Sequence, residues 1–207
     1  MVEYIIDNIN IKTLGVYVSE SLGVVDLPKP KTDTINQPND SGKYLDLSLQ
    51  RFEERNITLK CFLEATNYAQ FVERVEDFSA LISGGLKRLR IMVNSTPLIY
   101  DVYLSSGIQI KKKWREQGAM VGEFSVTLTE PEPKKAVYRL NGKILRMQIT
   151  TPEAVTVAYG DGELKTELFG ENIDLGHTFQ GTDINYIAIH GNVEKMQILT
   201  TNAIKIW

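Results

Sequence analysis

The chain has 207 residues, enough for one large or two small domains, and its 43% apolar content can bury a proper core. A net charge of −3 gives no global attraction to nucleic acid or a membrane surface, and a single cysteine excludes an internal disulfide framework. No apolar stretch of about 18 residues is present, so no helical membrane span is expected.

No basic region followed by a long apolar run opens the chain, so no secretory signal is expected, and folding in a reducing cytoplasm is. Residues 1–27 read as short strands: Tyr4 and Ile6 alternate, then Ile9 and Ile11, then Val16 and Val18, with Leu22, Val24, Val25 and Leu27 after them. Pro28-Lys29-Pro30-Lys31 stops the pattern, because proline cannot donate to a ladder. From there to Gly42 the residues are almost all Thr, Asp, Asn, Gln, Pro and Ser. Such a composition builds no core, so residues 28–42 are expected to form a long exposed loop or arm. Pro28, Lys29, Pro30, Lys31, Asn36 and Asn39 are the candidate residues of an arm at an oligomer interface.

Tyr44, Leu45, Leu47 and Leu49 begin another strand, and residues 52–55 read as a turn or bulge. The organising stretch follows. Ile57, Leu59, Cys61 and Leu63 alternate with Thr58, Lys60, Phe62 and Glu64, the period of a strand. Tyr68, Phe71, Val72, Val75, Phe78, Leu81 and Ile82 then recur at three- and four-residue steps, which puts them on one helical face. Asn67 can cap that helix with Gln70 as its capping-box partner, and Gly84-Gly85 can end it. Strands are expected again at 89–93, 98–104 and 108–110, with Ser105-Ser106-Gly107 as a tight connection. After a turn at Gln117-Gly118, Val121, Phe124, Val126 and Leu128 form the last strand of the first half.

Residues 129–135, with two prolines and several charges, read as a stiff, solvated linker. The domain boundary is placed there, giving a first domain at 1–130 and a second at 137–207. The second half shows strands at 144–149, 154–159, 164–169, 186–190, 196–199 and 203–207, punctuated by turn glycines, the pattern of a small sandwich. The expected fold class is mainly β: an α+β first domain, a sandwich or split barrel with one flanking helix, then a small immunoglobulin-like β-sandwich.

Little points to catalysis. The two histidines, His177 and His190, lack a metal-type spacing to a second ligand. No phosphate loop and no nucleophile elbow occurs. Gly160-Asp161-Gly162 is a turn, and Glu53-Glu54 reads as solvated surface. Cys61 reads as a buried small hydrophobe. No catalytic residue, cofactor ligand or metal ligand is therefore expected. The strongest charge feature is a candidate basic face of Lys111, Lys112, Lys113 and Arg115 around Trp114, with Lys87, Arg88 and Arg90 as further members. It can grip a phosphate backbone. The plainer reading is a solvated strand end or a set of ion pairs across an oligomer interface.

The order of pieces in 1–130 resembles the N-terminal domain of distal tail proteins of long-tailed bacteriophages. The pieces are the strand-rich opening, Arg55-Asn56-Ile57-Thr58-Leu59-Lys60-Cys61-Phe62-Leu63, the helix, Leu89-Arg90-Ile91, and Gly122-Glu123-Phe124-Ser125-Val126-Thr127-Leu128. The second half is similar to a polycystic-kidney-disease-type (PKD) immunoglobulin-like domain. There Val155-Thr156-Val157-Ala158-Tyr159 runs into Gly160-Asp161-Gly162, with His177-Thr178-Phe179 and Tyr186-Ile187-Ala188-Ile189-His190-Gly191 beyond. It departs from that pattern at Ala158-Tyr159 and where Asp183-Ile184-Asn185 replaces a glycine turn. The first resemblance implies a structural protein of a phage or prophage tail tip, assembled in the bacterial cytoplasm and carried in the virion tail. It implies a homo-oligomeric ring of six that joins the tail tube to the tip or baseplate. Its partners would be tail-tube and tail-tip proteins, with DNA only passing through the lumen and no membrane insertion. The second implies a domain that contacts a neighbouring tail protein or the host surface. The alternative is a bacterial carbohydrate- or surface-binding module carrying a PKD-like domain, against which the missing secretory signal counts.

Overall fold

The computed structural model describes residues 2–31, 34–35, 44–45, 51–94, 96–114, 119–181 and 183–207. Among the described residues the chain is mainly β with one α-helix, and every paired strand is antiparallel. The sheet of the first half runs Ile9–Asn10, Val2–Ile6, Lys87–Val93, Thr96–Leu104, Met120–Glu130, Arg55–Ala65, Val16–Leu22. Lys111–Trp114 adds to it alongside Met120–Glu130.

Alternation turns Ile57, Leu59, Cys61 and Leu63 to one face, where they join Phe124, Val126 and Leu128 of the neighbouring strand. The helix Tyr68–Ile82 lies on that face and buries Phe71, Phe78 and Ile82. Phe78 meets Phe124 with ring centroids 5.5 Å apart. Burial of each phenylalanine stabilises the packing by about 2–3 kcal/mol. Gly122 sits under Phe71. A Cβ there would come within 3.0 Å of the Phe71 ring and 2.7 Å of Ile110, so the strand leaves room for the helix only by lacking a side chain.

The helix cap differs from expectation by one residue. Asn67 Oδ1 accepts from the Gln70 N–H at 2.9 Å as foreseen, but Gln70 Oε1 accepts from the Thr66 N–H, at 2.8 Å, and not from Asn67. Tyr68, in the first turn, is exposed rather than part of the buried stripe. Gly84 and Gly85 take positive φ after the helix, as the sequence requires.

Two other expectations shift. Residues 108–110 are irregular, and the paired strand starts at Lys111; Ile108 and Ile110 pack on the first core from non-strand backbone. Two pieces of the arm are paired: Pro30–Lys31 with Arg51–Phe52, and Thr34–Ile35 with Tyr44–Leu45. Its pairing partners thus lie beyond Gly42, where the apolar Tyr44 and Leu45 suggested a separate strand. Leu47 and Leu49 lie outside the described residues.

The second half builds a sheet in the order Leu164–Asp174, Met147–Ala158, Ile184–Gly191, Lys135–Asn141, Ile204–Lys205. Met147–Ala158 changes partner along its length. Its first residues pair with Gln197–Thr201 and its last with Ile184–Gly191, with register shifts between. A small ribbon, Ile144–Leu145 with His177–Thr178, lies beside it. The core of this half includes Leu145, Ile149, Val157, Tyr159, Phe179 and Ile187.

Candidate assembly interface

Among the described residues, no three His, Cys, Asp or Glu side chains are grouped to hold a metal ion. Cys61 is buried on the helix face, and burial pushes its thiol up to about 12, so it is a packed hydrophobe rather than a nucleophile. The chemistry-bearing groups instead gather where the two halves meet.

The connection between the halves is solvated only in part, which corrects the reading of residues 129–135: Pro131 and Glu132 are exposed, but Thr129, Glu130, Pro133 and Lys135 are buried. Glu130 continues the inward series of Phe124, Val126 and Leu128, and its carboxylate pairs with Lys135 with both side chains buried. Arg55 Nε lies 3.6 Å from the second oxygen of Glu130. The Lys135 ammonium sits 4.5 Å over the Tyr100 ring and 5.0 Å over Trp207. Burial pushes the Glu130 carboxyl up and the Lys135 ammonium down, and each opposes the other's shift by its charge. The physical reason for the miss is that local composition carries no information about what packs over a segment.

Next to this pair lies a second buried network. Arg88 and Asp101 face each other across the ladder, and the guanidinium grips the carboxylate through Nε at 2.5 Å and Nη2 at 3.0 Å. Arg88 also donates to the carbonyls of Tyr186 at 2.6 Å and Ala158 at 3.0 Å, both in the second half. His190 Nε2 lies 2.8 Å from Asp101 Oδ2, and its Nδ1 2.9 Å from the Glu132 carbonyl. Burial alone would raise the Asp101 carboxyl, but the Arg88 charge and the hydrogen bonds from His190 and Arg88 outweigh it and hold Asp101 well below the usual range. Gly160 has φ +87, and a Cβ there would sit 2.7 Å from Arg88 Nη1, so the glycine serves both the turn and the approach of Arg88. Apolar Ile99, Val137, Ala158 and Ala188 seal the junction.

The arm roots against this junction. The Glu53 N–H donates to the Lys29 carbonyl at 2.8 Å, and their side chains form an exposed ion pair at 3.2 Å. A groove of about 560 Å³ runs between the arm base and the connection, lined by Lys31, Phe52, Pro131, Pro133, Glu153 and Asn192. Before the arm, Val25 and Leu27 are 81% and 93% exposed, an apolar pair that the sequence reading placed in strands. Their position immediately before Pro28 was the available signal. Asn36 and Asn39 lie outside the described residues.

Lys111, Lys112 and Lys113 are exposed on their strand. Lys113 pairs with Glu123 at 2.6 Å, and the Lys112 ammonium lies 5.5 Å from the Tyr68 ring. Arg115 lies outside the described residues. The suggested additions to this face are committed elsewhere: Lys87 to Asp7 at 3.1 Å, Arg88 to Asp101, and Arg90 to Asn8 at 2.8 Å. In the second half, His177 stacks on Tyr159 at 4.2 Å and meets Asp161 at 2.7 Å, which joins two segments that the sequence showed separately.

No protein-family model matches the chain, and no curated protein does. Solved structures do. The Dit protein of phage SPP1, described as a paradigm of the hub adsorption apparatus in phages infecting Gram-positive bacteria, matches with TM-score 0.52 and 9% identity, over 91% of this chain and 98% of its own. A chain of the phage P2 baseplate in its activated conformation with calcium matches with TM-score 0.50 and 11% identity, over 99% and 98%. The strontium form of that baseplate gives TM-score 0.50 and 11% identity over 100% and 98%. At such identities the likeness is one of fold, and it runs through both halves: the chain has the fold of phage hub and baseplate proteins.

Proposed function

We propose that the chain is a structural component of a phage tail tip, a non-enzymatic hub protein that joins the tail tube to the tip or host-adhesion apparatus. The observation that carries this reading is the fold shared with hub and baseplate proteins across at least 91% of this chain and 98% of theirs. Residues 1–130 form the ring-building domain, with six copies in the ring, and residues 137–207 form a PKD-like immunoglobulin-type domain that faces a neighbouring tail protein or the host surface. DNA meets the ring only in passing through its lumen. No helix among the described residues is long and apolar enough to cross a membrane.

Two surfaces are assigned to contacts between copies. The first is the arm with its root: Pro28, Lys29, Pro30, Lys31, Asn36 and Asn39, with Val25 and Leu27 beside them. Large apolar side chains left this exposed mark an interaction site. The second is the basic strand of Lys111, Lys112, Lys113 and Arg115, with ion pairs at the rim. Specific interfaces bury on the order of 800 Å² per partner, and an arm of this length can supply much of it. Replacing residues 29–41 with a short Gly-Ser loop should leave thermal melting unchanged and shift sedimentation velocity toward monomer. A variant that assembles as fully as the parent would remove the arm from the interface.

A further inference from the structure

We propose that the groove between the arm base and the connection receives residues 25–27 of a second copy of the chain. The proposal rests on the reading of the arm as a contact between copies. Its plug is the apolar pair Val25 and Leu27, 81% and 93% exposed, with the exposed Asp26 between them. These residues are held out by contacts on both sides. Before them, Val24 packs on the first core, and its carbonyl accepts from the Tyr100 hydroxyl at 2.6 Å and from Arg55 Nη1 at 3.4 Å. After them, the Lys29 carbonyl accepts from the Glu53 N–H at 2.8 Å. A segment fixed at both ends loses little freedom on binding, which favours association. Burial of two aliphatic side chains supplies the drive.

The groove matches this segment in shape and in charge. Its volume is about 560 Å³, and Phe52, Pro131 and Pro133 give it apolar walls. Lys31 and Arg51, both exposed, stand opposite each other in the arm ladder. Like charges directly opposite in a ladder repel, and a carboxylate between them removes that cost. Other charges of the groove are already paired: Glu153 accepts from Lys195 and, at 2.8 Å, from Asn192, and Lys134 meets Glu194 at 3.3 Å. That leaves two cations, Lys31 and Arg51, against one carboxylate, the exposed Glu132. Asp26 brings the second carboxylate. Leu27 is almost fully exposed, so the segment does not fill the groove of its own chain. Each copy thus carries a plug and a socket on two different patches, the arrangement that runs head to tail and closes as a ring.

Crosslinking between copies tests the seat directly. One preparation carries Leu27→Cys and another Pro131→Cys, both at exposed positions, and the buried Cys61 does not compete. A short thiol-to-thiol crosslinker should join the two when they are mixed and give far less product with either alone. Asp26→Lys should weaken self-association by about tenfold or more in sedimentation velocity. Thermal melting should stay unchanged, because Asp26, Lys31 and Arg51 are all exposed. Adding Lys31→Glu and Arg51→Glu to Asp26→Lys should restore assembly. Absence of the mixed crosslink, or an Asp26→Lys chain that assembles as fully as the parent, gives the groove to another occupant and overturns the proposal. If replacing residues 29–41 still disperses the assembly in that case, the arm reading stands and the groove alone is lost. A parent chain that stays monomeric at every concentration overturns both.

Discussion

Two lysine–glutamate pairs take their glutamates from one strand and have opposite surroundings. Glu123 and Glu130 both belong to Met120–Glu130, and each is paired with a lysine. The Lys113–Glu123 side chains are 60% and 49% exposed, whereas Lys135 and Glu130 are fully buried. Seven residues apart is an odd step, so strand alternation turns the two carboxylates to opposite faces. One face is open to water at Glu123; the other is closed by the helix along most of the strand and, at Glu130, by Lys135 and Trp207 of the second half. The same residue types are therefore a solvated rim in one place and part of a buried junction in the other. Composition alone reads both as surface.

The comparison breaks first at the buried pair. Lys135→Ala leaves Glu130 buried without its closest cation, with Arg55 Nε at 3.6 Å, and should destabilise the chain by about 3–5 kcal/mol in urea denaturation. Replacing both partners with apolar residues of similar size, as in Lys135→Met with Glu130→Leu, should recover most of that loss, because the unpaired charge goes with it. A double variant as unstable as the single one would show that the pair holds the junction by its charge. The open pair gives the smallest effect. Lys113→Ala should change stability by less than about 1 kcal/mol, and less at high salt. A loss as large as that of Lys135→Ala would contradict the assignment of the two faces.

Much of the secondary structure was legible because it follows local periodicity. The alternation at Ile57, Leu59, Cys61 and Leu63 and the stripe through Phe71, Phe78 and Ile82 both stand in the fold. The misses share a cause. Ile108 and Ile110 are apolar enough for a strand, yet they serve the core from irregular backbone. The arm pairs with residues past Gly42, and the sequence hid this because Tyr44 and Leu45 read as part of the next strand. His190 and Asp101 stand 89 residues apart, and no local pattern joins them. The exposed Val25 and Leu27 looked like ordinary strand residues, because exposure depends on what the rest of the chain leaves uncovered.

The central claim is that this fold serves as a self-assembling hub. Negative-stain imaging of the purified protein tests it most directly. The account predicts closed rings with sixfold projections, lost when the arm is replaced. A uniform population of monomers at every concentration, with binding to glycans in place of self-assembly, would contradict it.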